Sequence, residues 1–569
     1  MATIVNKSDW TVKSPPPEDF LSVVSGAGFS PEHAPFIAQL LWARGINTKE
    51  KIEKFFNPDY TTGVHDPFLF KGMEKAATRV VRAIQNKEKI IVFADYDADG
   101  VDGAVIMAEF LKKAGGEHEV FIPDRFTESY GLTLERIDEF KELGARVLIT
   151  IDCGVTDYDE VEKANSFGMD VIILDHHIVP PKWPNAYAII DHKQEDDTYP
   201  EKVLCGTGLA FKLVQAVLKK ERFGLVEGWE KWFLDAVAIA TVADMVPLTG
   251  ENRVLVKYGV EVIKKMRRPG LKALLGEKAI HPQEITAETI GFYIAPRINA
   301  ASRMDHANTA FELMLTDEDE KADWLARRLE EKNQERRTLV EKILKTLEVR
   351  LAGKEPPIII FEGSPEWPAG VLGIAANRIL EKYGCPVFLY GILPDIVKGS
   401  CRAGKGFNVV ELMRGAEDCF DDFGGHAVSG GFSMKLENVE RLKAKLQASL
   451  EQFAPPDSEP IQADAEIALK DVTSELYALT KSFEPFGQEN PKPLFSLRGV
   501  KLKEVKHVGA DQTHVKLKLG DEGLGAIYFR GSHNGFKTGD TVDILAELQE
   551  NTWRGTTKIE LNIVEAVKK

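Results

Sequence analysis

Residues 89–100, with the sequence KIIVFADYDADG, are the most informative segment of the chain for its fold. Its first half is an apolar run typical of a buried strand. Its second half places Asp95, Asp97 and Asp99 ahead of a predicted helix at Ala104–Lys113. Burying three like charges together is costly unless a cation neutralises them, and carboxylates suit a hard divalent metal. Alternatively, the acids form a turn that only caps the next helix. The segment alone leaves both interpretations open.

This segment opens a region of alternating short apolar strands and amphipathic helices, residues 85–245. Such alternation is typical of an α/β domain with a mainly parallel sheet. We expect residues 206–315 to be more helical. The predicted strands are Ile90–Ala94, Glu119–Ile122, Val147–Ile151, Val171–Leu174 and Ala188–Ile190, with helices at Leu134–Leu143 and Asp157–Ser166 between them.

The pattern changes again after residue 315. A charged stretch with few helix breakers, from Glu318 to about Leu351, predicts a long spacer helix between two lobes. A second α/β unit follows, with a strand at Pro357–Phe361, a helix at Gly373–Lys382 and a strand at Pro386–Tyr390. The predicted units are a helical preface at 1–80, a catalytic domain at 81–315, a connecting helix at 316–355, a second α/β domain at 356–452 and a C-terminal domain at 453–569.

The C-terminal unit has the signature of a small β-barrel. Short alternating strands are separated there by Gly and Asp turns. Residues 495–569 hold twelve Lys/Arg against ten Asp/Glu, so this unit escapes the acidity of the whole chain. The predicted strands are Val515–Leu519, Leu524–Phe529, Thr541–Leu548 and Thr557–Val564.

Bulk composition narrows the class of protein. At 569 residues, with 44% hydrophobic and 28% charged residues, the chain predicts a globular protein of several domains. No apolar stretch reaches the roughly 18–20 residues that span a bilayer, so we expect no membrane segment. The five scattered cysteines favour a reduced, cytoplasmic setting. The net charge of −16 argues against binding nucleic acid over the whole surface, but it allows a local basic channel.

Three more apolar runs, each interpreted as strand-like, end in an aspartate. Their last acids are Asp152, Asp175 (followed by two histidines) and Asp244, which follows Ala238–Ala243. Side chains just past the carboxyl ends of parallel strands converge on one crevice, so we expect these groups to meet. Any one of them alone could equally be a core or surface group. Together, carboxylates with one or two imidazoles suit Mn²⁺ or Mg²⁺ better than zinc, and a two-ion site of this kind predicts phosphoester or phosphoanhydride hydrolysis.

These motifs resemble those of the DHH phosphoesterase superfamily, and the whole chain resembles its RecJ family of bacterial single-strand exonucleases. The resemblance implies two α/β lobes (DHH and DHHA1) joined by a long helix, plus a C-terminal OB-type β-barrel. It rests on Asp97-x-Asp99-Gly100, Asp152, Asp175-His176-His177, Asp244, Leu41–Ile46, Pro296–Met304, Trp367–Ile374, Phe423–His426 and Pro485–Pro491.

The resemblance also implies roles in a two-metal site. One ion would be held by Asp97 and Asp152, and the other by Asp99, Asp152, His176 and Asp244. His177 would point toward the scissile phosphate. Asp95 and Asp175 would mainly orient these ligands, as weaker metal contacts. Many relatives carry a histidine where this chain has Phe93, which implies a weaker first ion.

Phosphate and DNA contacts are implied as well. Arginine donates bidentately to phosphate oxygens, although an isolated arginine is more often part of a surface ion pair. The implied contacts are Arg125, Arg297, Asn299, Arg303, Ser400, Arg402 and His426. Relatives usually have glycine where this chain has Ser302 and Cys401. In the barrel, the candidates for stacking on bases are Tyr528, Phe529 and Trp553, with Arg530 and Phe536 nearby; about half of such residues would instead be core, since strand side chains alternate.

The predicted function is a single-stranded-DNA-specific 5′→3′ exonuclease that uses two metal ions and releases 5′-mononucleotides in DNA repair and recombination. The resemblance implies a cytoplasmic monomer whose substrate has a 5′ end, with a helicase and a single-strand-binding protein as partners. One alternative is a DHH-family phosphodiesterase that acts on short oligonucleotides or cyclic dinucleotides. Another is an inactive scaffold, but such a protein should have lost metal ligands, and every main motif is present here.

Overall fold

The computed structural model describes residues 10–128, 130–177, 182–353, 357–394, 396–404, 406–451, 460–509, 512–553 and 556–569. The N-terminal elements pack on the C-terminal part of the chain. Phe20, Ile37 and Leu41, for example, share one hydrophobic cluster with Phe483 and Phe495. These elements are β1 (Trp10–Val12), α1 (Glu18–Gly26), α2 (Ala34–Trp42), α3 (Lys49–Phe56) and α4 (Tyr60–Gly63).

The first lobe is built on a five-stranded sheet in which all neighbouring strands are parallel, as predicted. Its predicted strands lie within two residues of the observed ones. Because helices cover both faces, the strands read as continuous apolar runs. Its elements are α5 (Met73–Asn86), β2 (Lys89–Ala94), α6 (Ala98–Ala114), β3 (His118–Phe121), α7 (Leu134–Glu142), β4 (Ala145–Ile151), α8 (Tyr158–Ser166), β5 (Asp170–Leu174) and β6 (Ala188–Ile190), with strand order β3-β2-β4-β5-β6.

The register of this sheet brings the acidic strand ends together. Ala94 pairs with Ile151, and Ile151 pairs with Leu174. The next residues along these three strands are Asp95, Asp152 and Asp175. The helix α5 belongs to the same core, so the boundary predicted between residues 80 and 81 falls inside a helix.

A helical layer completes the first lobe. Its elements are α9 (Gly206–Lys220), α10 (Leu234–Ala243), α11 (Gly250–Ile263), α12 (Pro269–Gly276), α13 (Ala287–Thr289), α14 (Ala295–Met304) and α15 (Asn308–Leu315), with a π-helical turn at Ile290–Ile294 before α14. The strand-type interpretation of Ala238–Ala243 was wrong, because this run lies in α10. A run buried on all sides shows no periodicity that separates helix from strand, and its alanines favour helix.

The long helix α16 (Asp319–Leu351) follows, close to its predicted bounds. The second lobe has a five-stranded mixed sheet of order β10-β11-β9-β8-β7. Its first strand begins at Ile360, later than predicted, since the prediction included Pro357, which lacks a backbone donor. The elements are β7 (Ile360–Ser364), α17 (Ala369–Tyr383), β8 (Val387–Ile392), β9 (Val397–Arg402), α18 (Val409–Arg414), β10 (Asp422–His426), β11 (Ser429–Met434) and α19 (Val439–Glu451).

The C-terminal unit is a closed five-stranded barrel. The sequence prediction missed the first barrel strand and made the fourth too short. The first strand pairs with both the second and the fourth, and its pairing with the fourth closes the barrel. The elements are β12 (Ile461–Ala463), β13 (Ala465–Glu466), α20 (Ser474–Lys481), β14 (Phe495–Val508), β15 (His514–Leu519), β16 (Leu524–Tyr528), β17 (Thr541–Trp553) and β18 (Thr556–Lys568). The strand β12 pairs in parallel with β1, which ties the two ends of the chain together. Two α/β lobes, a connecting helix and a barrel are therefore all present, as predicted.

Across the described residues, no helix combines the length and apolar character needed to span a membrane.

Candidate metal centre and phosphate cleft

The acidic loop after β2, residues 95–100, accepts hydrogen bonds from backbone N–H groups of α6 and α9. The side chain of Asp97 accepts hydrogen bonds from Asp99 N (2.8 Å) and Gly100 N (3.3 Å), and so it caps α6. The carboxylate of Asp99 accepts from the backbone N–H groups of Gly206 and Thr207, both at 2.7 Å, at the start of α9. The capping alternative and the cluster of acids are thus both present. A helix N-terminus favours an acid, but it satisfies only part of this charge.

The acids and histidines predicted from four chain segments meet in one place. Their ligand atoms form three overlapping sets in which all atoms lie within 4.8 Å of one another. The Nε2 atom of His176 lies 3.0 Å from Asp152 Oδ1 and 3.6 Å from both Asp99 Oδ2 and Asp244 Oδ2. The three sets are Asp95–Asp97–Asp152, Asp99–His176–Asp244 and Asp152–His176–His177.

The electrostatics of these sets fit a cation. Burial, reinforced by neighbouring carboxylates, raises the pKa of Asp95 and of Asp244 to about 8. The same causes raise the pKa of Asp97 and of Asp152. The Oδ1 atom of Asp95 is buried and has no hydrogen-bond partner among the described residues. A divalent cation would remove this repulsion and supply the missing partner.

His176 has the protonation state of a metal ligand. Burial lowers its pKa to about 4, so the imidazole is neutral at pH 7 and one ring nitrogen can donate to a metal. Oxygen-rich donors with a neutral imidazole match Mn²⁺ or Mg²⁺. The residues present therefore fit the two ions predicted from the sequence.

His177 is held differently from its neighbour. Its Nδ1 atom lies 2.8 Å from Asp175 Oδ1, and that carboxylate also accepts from the backbone N–H of His176. Burial alone would lower the pKa of His177, but the hydrogen bond and charge of Asp175 raise it to about 9. Asp175 therefore favours the protonated form of this ring. This arrangement suits a group that faces an anionic substrate, with Asp175 as its orienting partner.

The sequence did not predict two contacts of the turn Asp175–His177, which is called the histidine turn below. The hydroxyl of Tyr130 donates to the carbonyl of Asp152 (2.8 Å) and lies 3.2 Å from His177 Nδ1. The ammonium of Lys193 donates to the carbonyl of His176. Lys193 lies three residues past the end of β6, and Asp191 directly follows that strand, so the β6 end was a signal in the sequence. Tyr130 lies in the loop between β3 and α7, and only the fold could have revealed it.

A cleft between the lobes carries arginines without carboxylate partners. No ion pair with a carboxylate within 4.0 Å occurs for Arg125, Arg303 or Arg402 in the described part of the chain. Burial, the charge of Arg125 and other nearby arginines lower the pKa of Arg303 to about 9, although Asp97 acts against them. Arg303 also donates to the carbonyl of Gly370 at the start of α17, which joins the lobes (3.1 Å). Such a cluster suits an anion such as phosphate.

The second lobe supplies the opposite wall of this cleft. Arg402 donates to Ser400 Oγ (3.1 Å) and to the carbonyl of Cys401 (2.7 Å). The exposed ring of His426 stacks near that of His177, with ring centroids 6.3 Å apart and planes 17° apart. His426 of β10 therefore lies opposite His177 of the first lobe, and Arg402 of β9 lies near enough to Arg125 for their charges to interact.

Several residues predicted to contact DNA have other roles. Arg297 is 1% exposed, is ion-paired with Glu330 (2.6 Å) and links α14 to α16, so the predicted phosphate contact was wrong. The amide oxygen of Asn299 accepts from Ala98 N (2.9 Å) and so supports the acidic loop.

Phe93, where many relatives have a histidine, is buried against Phe140, with ring centroids 6.3 Å apart.

The barrel candidates separate by exposure. Tyr528 is 5% exposed, and its hydroxyl donates to Glu565 (3.0 Å), so its predicted stacking role was wrong. Phe536 is also buried. Alternation along the strand turned Tyr528 into the barrel core. Phe529 is 56% exposed and stays a candidate, while the side chain of Trp553 lies outside the described residues.

Comparisons with known proteins agree with this arrangement. Family models match at residues 89–241 (DHH family, N-terminal domain), 355–452 (DHHA1 domain) and 463–565 (RecJ OB domain). The chain is 34% identical to the single-stranded-DNA-specific exonuclease RecJ of Bacillus subtilis over 573 residues, which covers 99% of this chain and 71% of that protein. The crystal structure of RecJ in complex with Mn²⁺ from Thermus thermophilus matches with a TM-score of 0.85 and 30% identity, over 100% of this chain and 80% of that one.

A second Thermus thermophilus structure, of RecJ in complex with Mg²⁺, matches with a TM-score of 0.79 and 29% identity, over 99% of this chain and 79% of that one. The RecJ of the same organism is 34% identical over 98% of this chain and 78% of its own length. The predicted fold class, including the OB-type barrel, is thereby confirmed. On these matches, and on the acidic centre and inter-lobe cleft described above, the chain belongs to the RecJ family.

Proposed function

We propose that this protein is a metal-dependent exonuclease that hydrolyses single-stranded DNA from the 5′ end and releases 5′-mononucleotides, in DNA repair and recombination. The observation that carries the proposal is the position of Asp152, which belongs both to a set of acids and to a set with two histidines, beside a cationic cleft. Its relatives in several bacteria are named single-stranded-DNA-specific exonucleases. Single-stranded DNA is accordingly the substrate that we assign to this chain.

We assign one ion to Asp97 and Asp152, with Asp95 close enough to join them, and the other to Asp99, Asp152, His176 and Asp244. When bound, two divalent cations supply an acidified water and offset charge on the phosphate. The ring of His177 lies toward the cleft, where its protonated form can donate to a non-bridging phosphate oxygen. Asp175 holds that ring in place.

We further propose that Arg125, Arg303, Ser400 and Arg402 hold the 5′-terminal phosphate. The cleft lies beside Asp97, and its arginines have positive charge to spare, so a terminal phosphate there would place the first phosphodiester near the acidic centre. His426 would contact the strand from the second lobe. This arrangement supports a 5′→3′ polarity.

Arg402→Ala tests this assignment. We expect a KM increase of about 10- to 100-fold on a 5′-phosphorylated strand, since a charge-assisted pair with phosphate contributes roughly 1.5–3 kcal/mol. Arg402→Lys should restore little, because lysine lacks the planar fork. Steady-state kinetics on 5′-phosphate and 5′-hydroxyl strands are the measurement. Equal losses on both strands would contradict the terminal-phosphate role.

The cellular setting belongs to the same proposal. We expect a cytoplasmic monomer that receives unwound strands from a helicase and encounters a single-strand-binding protein. The unit boundaries at 81–315, 316–355, 356–452 and 453–569 stay a prediction, with the first better placed before α5. A DHH-family phosphodiesterase for short oligonucleotides or cyclic dinucleotides is the alternative. It would cleave a 5-mer as well as a long strand and would have no use for the barrel.

End-labelled strands test the proposed function directly. With Mn²⁺ or Mg²⁺, a 5′ label should appear at once as mononucleotide, while a 3′ label should persist in shortening products. EDTA should abolish release, because the acidic centre needs cations, and excess Mn²⁺ should restore it. A matched duplex with blunt ends is the control and should resist digestion. Early release of the 3′ label would overturn the polarity, and full activity in EDTA would overturn the metal dependence.

A further inference from the structure

The end of β6 places one more aspartate and a lysine beside the histidine turn. Leu174 of β5 pairs with Ile190 of β6, and the backbone N–H of Asp175 donates to the carbonyl of Ile190 (3.3 Å). Asp191 therefore continues the row of acids at this edge of the sheet. Its Oδ1 atom accepts from the backbone N–H of Lys193 (2.7 Å), and this Asx-type turn bends the chain back toward the histidine turn.

The ammonium group of Lys193 is held by main-chain oxygens of the histidine turn. It donates to the carbonyl of His176 and lies 3.5 Å from the carbonyl of His177. Lysine carries three donors, so these two carbonyls leave an N–H for another acceptor. No carboxylate oxygen lies within 4.0 Å of this ammonium in the described part of the chain. The side chain is also exposed, so an anionic ligand has access to it.

The charge of Lys193 acts on both lobes at the cleft. Burial lowers the pKa of His176 and of His426, and the charge of Lys193 lowers each of them further. Burial and neighbouring carboxylates raise the pKa of Asp244, and Lys193 acts against them. His426 belongs to β10 of the second lobe, and its ring stacks near that of His177. The ammonium therefore lies at the cleft, near the metal set that contains His176 and Asp244.

Arg125 and Lys193 act on different sets of the acidic centre. Burial raises the pKa of Asp95, in the set of three acids, and the charge of Arg125 opposes this. Lys193 acts instead on Asp244, in the set that also contains His176. A strand whose terminal phosphate is held by the arginines runs past the set of three acids first and then past the second set. Its next phosphate group therefore comes to Lys193.

We propose that Lys193 is a further substrate-binding residue, which contacts the phosphate group directly on the 3′ side of the scissile phosphodiester. This inference rests on the proposed function, because the 5′ end sets which phosphate lies there. The remaining N–H of the ammonium donates to a non-bridging oxygen of that phosphate, and the carbonyls of the histidine turn keep the ammonium in place. The strand is then held on both sides of the bond to be cleaved, which fixes that bond at the metal centre.

A neutral linkage tests which phosphate is bound. The substrate is a 30-nucleotide strand with a labelled 5′-phosphate, and the measurement is the KM for release of the first mononucleotide with Mn²⁺. A methylphosphonate in the second linkage removes one charge and leaves the scissile linkage intact. It should raise the KM of the wild-type protein about tenfold, as for loss of a charge-assisted hydrogen bond. The same modification in the fifteenth linkage should have no effect.

Lys193→Ala should make the protein insensitive to that modification. We expect its KM on the unmodified strand to rise about tenfold, and the methylphosphonate in the second linkage to add less than about twofold, because the ammonium is already absent. Lys193→Arg should restore most of the loss, since it keeps the positive charge. If Lys193 only supported the histidine turn, the effects of the variant and of the neutral linkage would multiply. That result, or a wild-type protein indifferent to the second linkage, would overturn the proposed contact.

Lys113→Ala is the matched control. Lys113 is also exposed and has no carboxylate within 4.0 Å among the described residues, but it lies near the C-terminal end of α6. At 1.5 Å per residue, this position is about 24 Å along the helix from Asp97. The control should keep the wild-type KM and the wild-type response to the neutral linkage. A wild-type protein that releases no mononucleotide from the unmodified strand would overturn the proposed function instead.

Discussion

His176→Ala is expected to lower kcat on single-stranded DNA by at least about 1000-fold. His176 is the neutral donor that lies within 3.6 Å of Asp99, Asp152 and Asp244. Its removal leaves the three carboxylates, two of them buried, around a site with one ligand fewer. Loss of an outer partner of a metal ligand costs about 10- to 100-fold, so loss of a ligand should cost more. Release of labelled mononucleotide under Mn²⁺ is the measurement.

The same variant should still bind the strand. The arginine cleft and the barrel do not depend on His176, so we expect the Kd for a 30-nucleotide strand, measured by fluorescence anisotropy, to change less than about threefold. Electron paramagnetic resonance should show fewer Mn²⁺ ions bound per chain. His281→Ala is the control and should keep full activity. His281 is exposed and lies 105 residues after His176 in the sequence. Wild-type turnover in His176→Ala would refute the metal assignment.

Gly100→Ala should disable the same centre through the backbone. A Cβ at Gly100 would lie 2.6 Å from both the N and the C atoms of Asp95 and closer still to its carbonyl oxygen. These are main-chain atoms, so the acidic loop must shift. We expect destabilisation of about 1–3 kcal/mol and a loss of Mn²⁺ affinity of about 10- to 100-fold. Thermal unfolding and Mn²⁺ titration measure the two effects.

Gly26→Ala is the matched control for this variant. No heavy atom lies within 4 Å of a Cβ at Gly26, and its φ is not positive. The control should therefore keep both its melting temperature and its Mn²⁺ affinity, and alanine is favoured over glycine at this helical position. An unchanged Mn²⁺ affinity in Gly100→Ala would show that the loop tolerates the shift and that its backbone does not set the metal geometry.

The amino-acid sequence is sufficient to predict the parallel sheet, the long helix, the barrel and the acids that meet at the sheet edge. Each follows from a local pattern: continuous apolar runs for strands covered on both faces, and a polar residue where such a strand ends. Because parallel strands align their carboxyl ends, Asp95, Asp152 and Asp175 had to be neighbours once β2, β4 and β5 paired in register.

Tertiary structure alone decided how the remaining groups are used. The run before Asp244 is a helix. The sequence did not reveal this, because full burial hides the periodicity that would identify a helix. Arg297 and Tyr528 are turned inward by the elements that cover them, whereas Phe292 is left exposed. Tyr130 and Lys193 reach the histidine turn from other segments of the chain. Local sequence specifies which groups a segment offers, but contacts between distant segments specify which of those groups face a metal, a strand of DNA or the core.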